Sequence, residues 1–166
     1  MVGPFSQVST AVLALLFLTA VVVFSVRAWK KRAGEQKQAF DEPGELLLGA
    51  DDPLYAAEGM YVATTMAANK LDRVTAYGLG FRGNGAFLVC RDGIQIFRDG
   101  ERSLAISKSH LVAIEPDQAT IDRVVEKDGL LRIDWTAESS TLSTFIRIVD
   151  DRTRKEWAEF AQRLIK

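Results

Sequence analysis

The chain has 166 residues, 48% hydrophobic and 26% charged, with a net charge of −1, which leaves room for one ordinary domain and an appendage. Arg27, Lys30, Lys31 and Arg32 cluster beside an apolar run, so the remainder is net acidic and unsuited to a nucleic-acid partner, whose phosphates demand a basic face. A single cysteine, Cys90, excludes an internal disulfide, a cysteine zinc cluster and a CxxC redox pair.

From Val8 to Val26 the sequence reads VSTAVLALLFLTAVVVFSV, without a charge, Asn, Gln, Pro or Gly. At ~1.5 Å per residue this run crosses a hydrocarbon core of ~30 Å, and the hydroxyls of Thr10, Thr19 and Ser25 are expected to bond back to the preceding turn. A buried core helix does not stay apolar on every face over such a length. No Lys or Arg precedes the run, the four basic residues follow it, and Trp29 falls where an interfacial aromatic belongs. The positive-inside rule then predicts a single pass through the cell membrane, N-terminus outside and C-terminal domain cytoplasmic. Val26-Arg27-Ala28 resembles a signal-peptidase site, but a cleaved signal has a shorter apolar core of ~7–15 residues and its basic residues come before it. The four basic residues are also placed to touch anionic phospholipid, at ~1 kcal/mol per charge.

Ala33 to roughly Pro53 carries Gly34, Gly44, Pro43 and many charges, and reads as a linker whose Leu46-Leu47-Leu48 either pins it to the domain or forms a helical turn. Beyond it, short runs rich in Val, Ile, Phe and Thr alternate with turn signals, the pattern of an antiparallel β fold. Strands are predicted over Gly59–Ala67, Val74–Arg82, Ala86–Cys90, Ile94–Arg98, Ser103–Ile106, Leu130–Thr136 and Thr141–Val149. Asp-Gly turns occur at Arg91-Asp92-Gly93, Arg98-Asp99-Gly100 and Lys127-Asp128-Gly129. Leu131, Ile133 and Trp135 alternate with Arg132 and Asp134, so one face of that strand meets a core and the other water. From Asp150 to Lys166 the period becomes helical, with Trp157, Phe160, Ala161, Leu164 and Ile165 on one stripe, Arg154 off it, and Asp150 or Asp151 as N-cap. The expected organisation is an anchor with its basic flank (1–32), a linker (33–56) and a mostly β domain (57–166), a bent sheet or barrel of about seven strands capped by a C-terminal helix.

Gly78-Leu79-Gly80-Phe81-Arg82-Gly83 fits the GxGxxG pattern, but a strand follows instead of the helix that would hold a pyrophosphate, so it reads as a glycine-rich turn. His110 has Ser107 and Ser109 near it in sequence but no third group to orient it, and reads as a turn residue. Cys90 reads as a small buried side chain, and Asp134 and Glu138 as solvated carboxylates. Neither a catalytic set, a cofactor site nor metal-ligand spacing emerges, and a non-enzymatic protein is expected.

Gly80-Phe81-Arg82-Gly83, Arg91-Asp92-Gly93-Ile94, Ile121-Asp122-Arg123-Val124-Val125, Gly129-Leu130-Leu131-Arg132-Ile133-Asp134-Trp135 and Thr144-Phe145-Ile146-Arg147 resemble actinobacterial single-pass membrane proteins with a bacterial pleckstrin-homology-like (PH-like) domain. The resemblance covers the anchor and the C-terminal domain. It implies a framework without catalytic residues, in a family often encoded near pyrimidine-biosynthesis genes and labelled as export proteins or transporters. It further implies that Lys70, Arg73 and Arg82, near the first strand-to-strand loop, are where such a domain would grip an anionic headgroup. The leading expectation is a membrane-tethered interaction or scaffold module for a cytoplasmic or membrane protein. Recognition of a phospholipid headgroup or small anion, and an accessory role in a transport or export complex, are the alternatives; one span alone cannot form a transport path.

Overall fold

The computed structural model describes residues 4–46, 51–120, 123–124 and 129–165. Helix α1 spans Pro4–Ala39, 36 residues and about 54 Å. Its stretch Ser9–Lys37 is long and apolar enough to cross a membrane, and its most apolar 18-residue window is not buried against the rest of the chain. Thr19 and Ser25 donate their hydroxyls to the carbonyls of Leu15 and Val21, both at 2.8 Å, as expected for polar side chains inside an apolar helix.

The helix does not end at the basic cluster. It continues through seven residues that composition assigned to the linker, because Ala, Lys, Glu and Gln are good helix formers and a lone Gly34 costs only about 1 kcal/mol. Leu47 and Leu48 of the leucine triplet lie outside the described residues, and Leu46 is exposed.

The domain strands are β1 (Tyr55–Met66), β2 (Asn69–Arg73), β3 (Gly83–Cys90), β4 (Gly93–Arg98), β5 (Leu104–Ser107), β6 (Leu111–Asp117), β7 (Ala119–Thr120), β8 (Arg123–Val124), β9 (Leu130–Ala137) and β10 (Ser140–Arg147). One antiparallel sheet runs β5-β4-β3-β1-β10-β9-β6, with β2 also paired to β1. The small hairpin β7-β8 stands apart. Helix α2 (Asp151–Gln162) packs on β1, β3 and β6. The mostly β architecture with a C-terminal helix is as expected.

Strands β2, β6, β7 and β8 fall outside the runs expected from sequence, and one expected strand does not form. Val74–Arg82 is not a strand: β2 ends at Arg73, and a 3₁₀ turn, Ala76–Gly78, follows, with Tyr77 at φ 54° and Gly78 at φ 69°, a left-handed pair that breaks any extended run. Strand β6 was missed because a register shift between Leu111 and Ala113 spoils the alternation and Pro116 cannot donate a ladder hydrogen bond.

The core holds Tyr61, Phe87, Ile94, Ile96, Ile133 and Trp157. The Trp157 indole N–H donates to the Phe87 carbonyl at 3.0 Å, fixing α2 on the sheet. Asp150 is the N-cap, accepting from the Thr153 amide at 2.7 Å. Arg154, placed off the apolar stripe by sequence, is buried; its guanidinium donates to the Ile148 carbonyl at 3.1 Å and pairs with Asp151. Ile165, placed on the stripe, is exposed. Asp134 is not solvated either: Ser143 donates to it at 2.6 Å and Arg132 pairs with it at 3.1 Å, since all three share the outer face of β9 and β10. Of the turns, Lys127 and Asp128 lie outside the described residues, as do Ile121, Asp122 and Val125.

Candidate functional site

The end of α1 is gripped by the loop that leads from β2 to β3. Gln36 is the centre of the contact. Its side-chain oxygen accepts the Thr75 amide at 2.7 Å, the Thr75 hydroxyl at 3.0 Å and the Ala76 amide at 3.1 Å, while its nitrogen donates to the Arg73 carbonyl at 3.1 Å. One glutamine therefore bonds four groups of this strand end and turn at once. One turn on, Phe40 is 1% exposed and sits in the domain core, with the Tyr77 ring 5.8 Å away and the Tyr77 hydroxyl donating to the Phe40 carbonyl at 3.3 Å. Lys37 lies over the Tyr77 ring at 5.2 Å.

This loop is stiffened from inside the domain. Tyr61 donates its hydroxyl to the Leu79 carbonyl at 2.8 Å, so it must accept from Thr64 (2.6 Å), which in turn accepts from Thr144 (2.7 Å), which accepts from the Trp135 indole (3.0 Å). Each hydroxyl has one proton, and the chain of donors runs in one direction from Trp135 to Leu79. Burial raises the Tyr61 phenol to about 12, so it stays a donor at any physiological pH. Arg98, buried beside it with its guanidinium carbon 5.0 Å from the Tyr61 ring centroid, donates to the Gly78 carbonyl at 2.7 Å and the Arg102 carbonyl at 2.9 Å. A side chain at Gly78 would meet Glu101 Oε2 at 2.7 Å, in a backbone conformation that already favours glycine. The GxGxxG stretch is thus a turn that continues the loop holding α1, and β3 begins at its last glycine.

Toward the apolar part of α1 the same loop makes a second contact. Trp29 meets Phe81 edge to face, ring centroids 6.0 Å apart. Seven residues separate Trp29 from Gln36, so Phe81 rides about 10 Å nearer the apolar segment than the Gln36 contact. Both rings are half exposed, at 47% each.

The basic residues singled out by sequence have different surroundings. Arg73 donates to the Gly80 carbonyl at 3.1 Å and Arg82 contacts the Met60 sulfur at 3.0 Å, so these two bracket one turn. Lys70 is drawn toward β6 by Asp117 at 2.6 Å and lies 6.0 Å from the Phe145 ring centroid. Arg27 and Lys30 are exposed on α1, Lys31 pairs weakly with Glu35 at 3.8 Å, and the Arg32 side chain lies outside the described residues.

His110 is exposed in the turn Lys108–His110. Cys90 is buried, which pushes its thiol up and away from the reactive thiolate, with Asp92 adding to the effect. Among the described residues no group of His, Cys, Asp and Glu side chains could hold a metal ion. Sequence reasoning missed Gln36 and Phe40; the one available signal was a lone large aromatic in the polar stretch Gln38-Ala39-Phe40-Asp41.

No curated protein matches the chain. Among solved structures, a chain of "The 8S snRNP Assembly Intermediate" is similar with a TM-score of 0.48 at 10% identity, covering 76% of this chain and 87% of that one, too distant to bear on function. A family model, Bacterial PH domain-like, matches residues 43–162, well over half the chain. With its open antiparallel sheet, C-terminal helix and that match, the chain belongs to the Bacterial PH domain-like family.

Proposed function

We propose that the chain is a membrane-tethered, non-enzymatic interaction module. In this reading Val8–Val26 spans the cell membrane with the N-terminus outside, and the domain is presented to cytoplasmic or membrane protein partners at the inner leaflet. The family suggests an interaction module. The observation that carries the tethering is the four-bond Gln36 contact, which joins the domain to an unbroken helix instead of a flexible leash. A fixed domain keeps its orientation to the bilayer, which suits recruitment at a surface. Proximity labelling from the C-terminus of the full chain in intact cells tests this: a reproducible set of cytoplasmic or membrane neighbours is expected. A labelled set equal to that of a membrane-anchored control without the domain rejects the module, and labelling of extracytoplasmic proteins rejects the orientation.

A second reading, contact with anionic phospholipid headgroups or small anions, is favoured by the Trp29–Phe81 pair. That pair carries the turn bracketed by Arg73 and Arg82 toward the level of Arg27 and Lys30–Arg32. In nanodiscs, anionic lipid should slow hydrogen exchange of residues 78–83, and R73A/R82A should remove the effect; exchange independent of lipid charge rejects it.

A further inference from the structure

The edge strand β5 is not bare. Before the domain begins, the chain passes along it: the Ala105 amide donates to the Gly44 carbonyl at 2.7 Å in an isolated antiparallel bridge. The fully buried Gln95 reaches out and donates to the Glu45 carbonyl at 2.9 Å. Arg102 bonds both Glu42, through Nη1, and Glu45, through Nε. Pro43, between them, has no N–H to satisfy. The edge therefore reads two successive main-chain carbonyls and two carboxylates three residues apart.

This occupant is held lightly. It makes one bridge instead of a ladder, and its ion pairs have side chains between 43% and 57% exposed, a setting in which such pairs contribute little. A short edge strand with an unpaired flank is a template for strand addition, main-chain bonds supplying the attraction and side chains the choice of sequence. The opposite edge is less suited: β6 contains Pro116, and its Ile114 carbonyl is taken by Gln162 at 2.9 Å.

We infer that the β5 edge is the docking surface for an extended acidic segment of a partner protein, and that Glu42–Leu46 covers it in cis until such a segment displaces it. The partner chemistry follows from the resident: glutamates three apart opposite Arg102, with a backbone carbonyl between them for Ala105. The inference rests on the interaction-module reading and names where that module engages its partner.

The test uses the full chain in nanodiscs and a labelled peptide of residues 41–46, Asp-Glu-Pro-Gly-Glu-Leu. In the wild type the peptide competes with a tethered copy whose effective concentration is on the order of millimolar. E42K/E45K sets like charges against Arg102 and should free the edge, lowering the peptide concentration for half-saturation by about tenfold or more. Adding R102A to that variant should return the titration to the wild-type level or weaker. The Gln95 side-chain amide resonance should move on peptide addition, and an unchanged thermal transition verifies that each variant is folded. Equal titrations for wild type and E42K/E45K, or peptide binding to the triple variant as tight as to E42K/E45K, overturn the inference. So does a concentration-dependent dimer of E42K/E45K that ignores the peptide, which would assign the edge to a second copy. If the titrations fail while proximity labelling still recovers partners, the module stands and its docking surface lies elsewhere.

Discussion

Replacing Gln36 with alanine should loosen the domain from α1 without unfolding it. The substitution strips the Thr75 amide, the Thr75 hydroxyl, the Ala76 amide and the Arg73 carbonyl of their partner at once. A protein hydrogen bond nets about 0.5–1.5 kcal/mol, and groups left dry cost more, but this site is part-buried and water can reach some of them. The expected loss is about 2–4 kcal/mol of local stability, equivalent to roughly 30- to 800-fold in the opening equilibrium of the turn. Native-state hydrogen exchange of the full chain in nanodiscs reads this directly, as faster exchange at Thr75 and Ala76 while the amides of β9 and β10 keep their protection. Gln36→Glu separates the two halves of the contact: the acceptor oxygen remains, but a carboxylate replaces the donor to the Arg73 carbonyl, so its effect should be intermediate and concentrated at Arg73. Unchanged exchange at Thr75 and Ala76 in Gln36→Ala would refute the claim that this side chain ties helix to domain.

Trp157→Ala removes the largest fully buried side chain and the donor to Phe87, and should cost about 3–5 kcal/mol in chemical denaturation; a loss below about 1 kcal/mol would contradict the role assigned to α2. Asp150 is held below the usual carboxylate range by its bonds to Thr153, so its cap contributes above the unfolded pKa and is lost as pH falls through the folded one. Acidification should therefore fray α2 first, and Asp150→Asn, still a cap, should flatten that dependence in exchange measurements at Thr153. Glu138 runs the other way: its hydrogen bond to Asp41, then the charge of Asp41, raises its pKa, so the folded state binds more protons and this contact weakens as pH rises from the unfolded value through the folded one. Glu138→Gln should remove that slope, read as the pH dependence of exchange at Asp41 and Glu42. E42K/E45K should leave Thr75 and Ala76 protection at the wild-type level, because the edge contact and the Gln36 contact share no residue.

Where local pattern and tertiary environment agree, the chain could be read directly. Leu131, Ile133 and Trp135 are buried and Arg132 and Asp134 face outward, and Trp157 and Ala161 of α2 and Leu164 just beyond it line the inner side. The misreadings occur where a distant partner overrides local character. Gln36 lies in a polar, glycine-containing stretch with nothing to mark it, since its partners come 37 to 40 residues later. Arg154 looks like a solvent residue until the Ile148 carbonyl and Asp151 satisfy its guanidinium inside the domain. Tyr77 does not announce a left-handed backbone, and its ring and hydroxyl meet Phe40, 37 residues earlier. The candidate site is therefore mostly invisible in the sequence, whereas the fold around it is mostly visible.

The stretch joining α1 to the sheet is fixed at two points that differ in strength. Phe40 is in the core and Gln36 makes four hydrogen bonds, while Gly44, four residues beyond Phe40 and within about 14 Å of extended chain, holds the β5 edge by a single bridge. Displacing the weaker point lengthens nothing between the apolar helix and the domain, because the stronger point lies on the helix side of it. A partner that took over the β5 edge would then find the domain still seated on the end of α1, and its own position would be set by that helix. Two unequal contacts along one short segment thus let occupancy of the edge change while the geometry of presentation does not. Had Gln36 and Glu42–Leu46 been the reverse, with the weak contact next to the helix, docking would have required choosing between an exposed edge and an oriented domain.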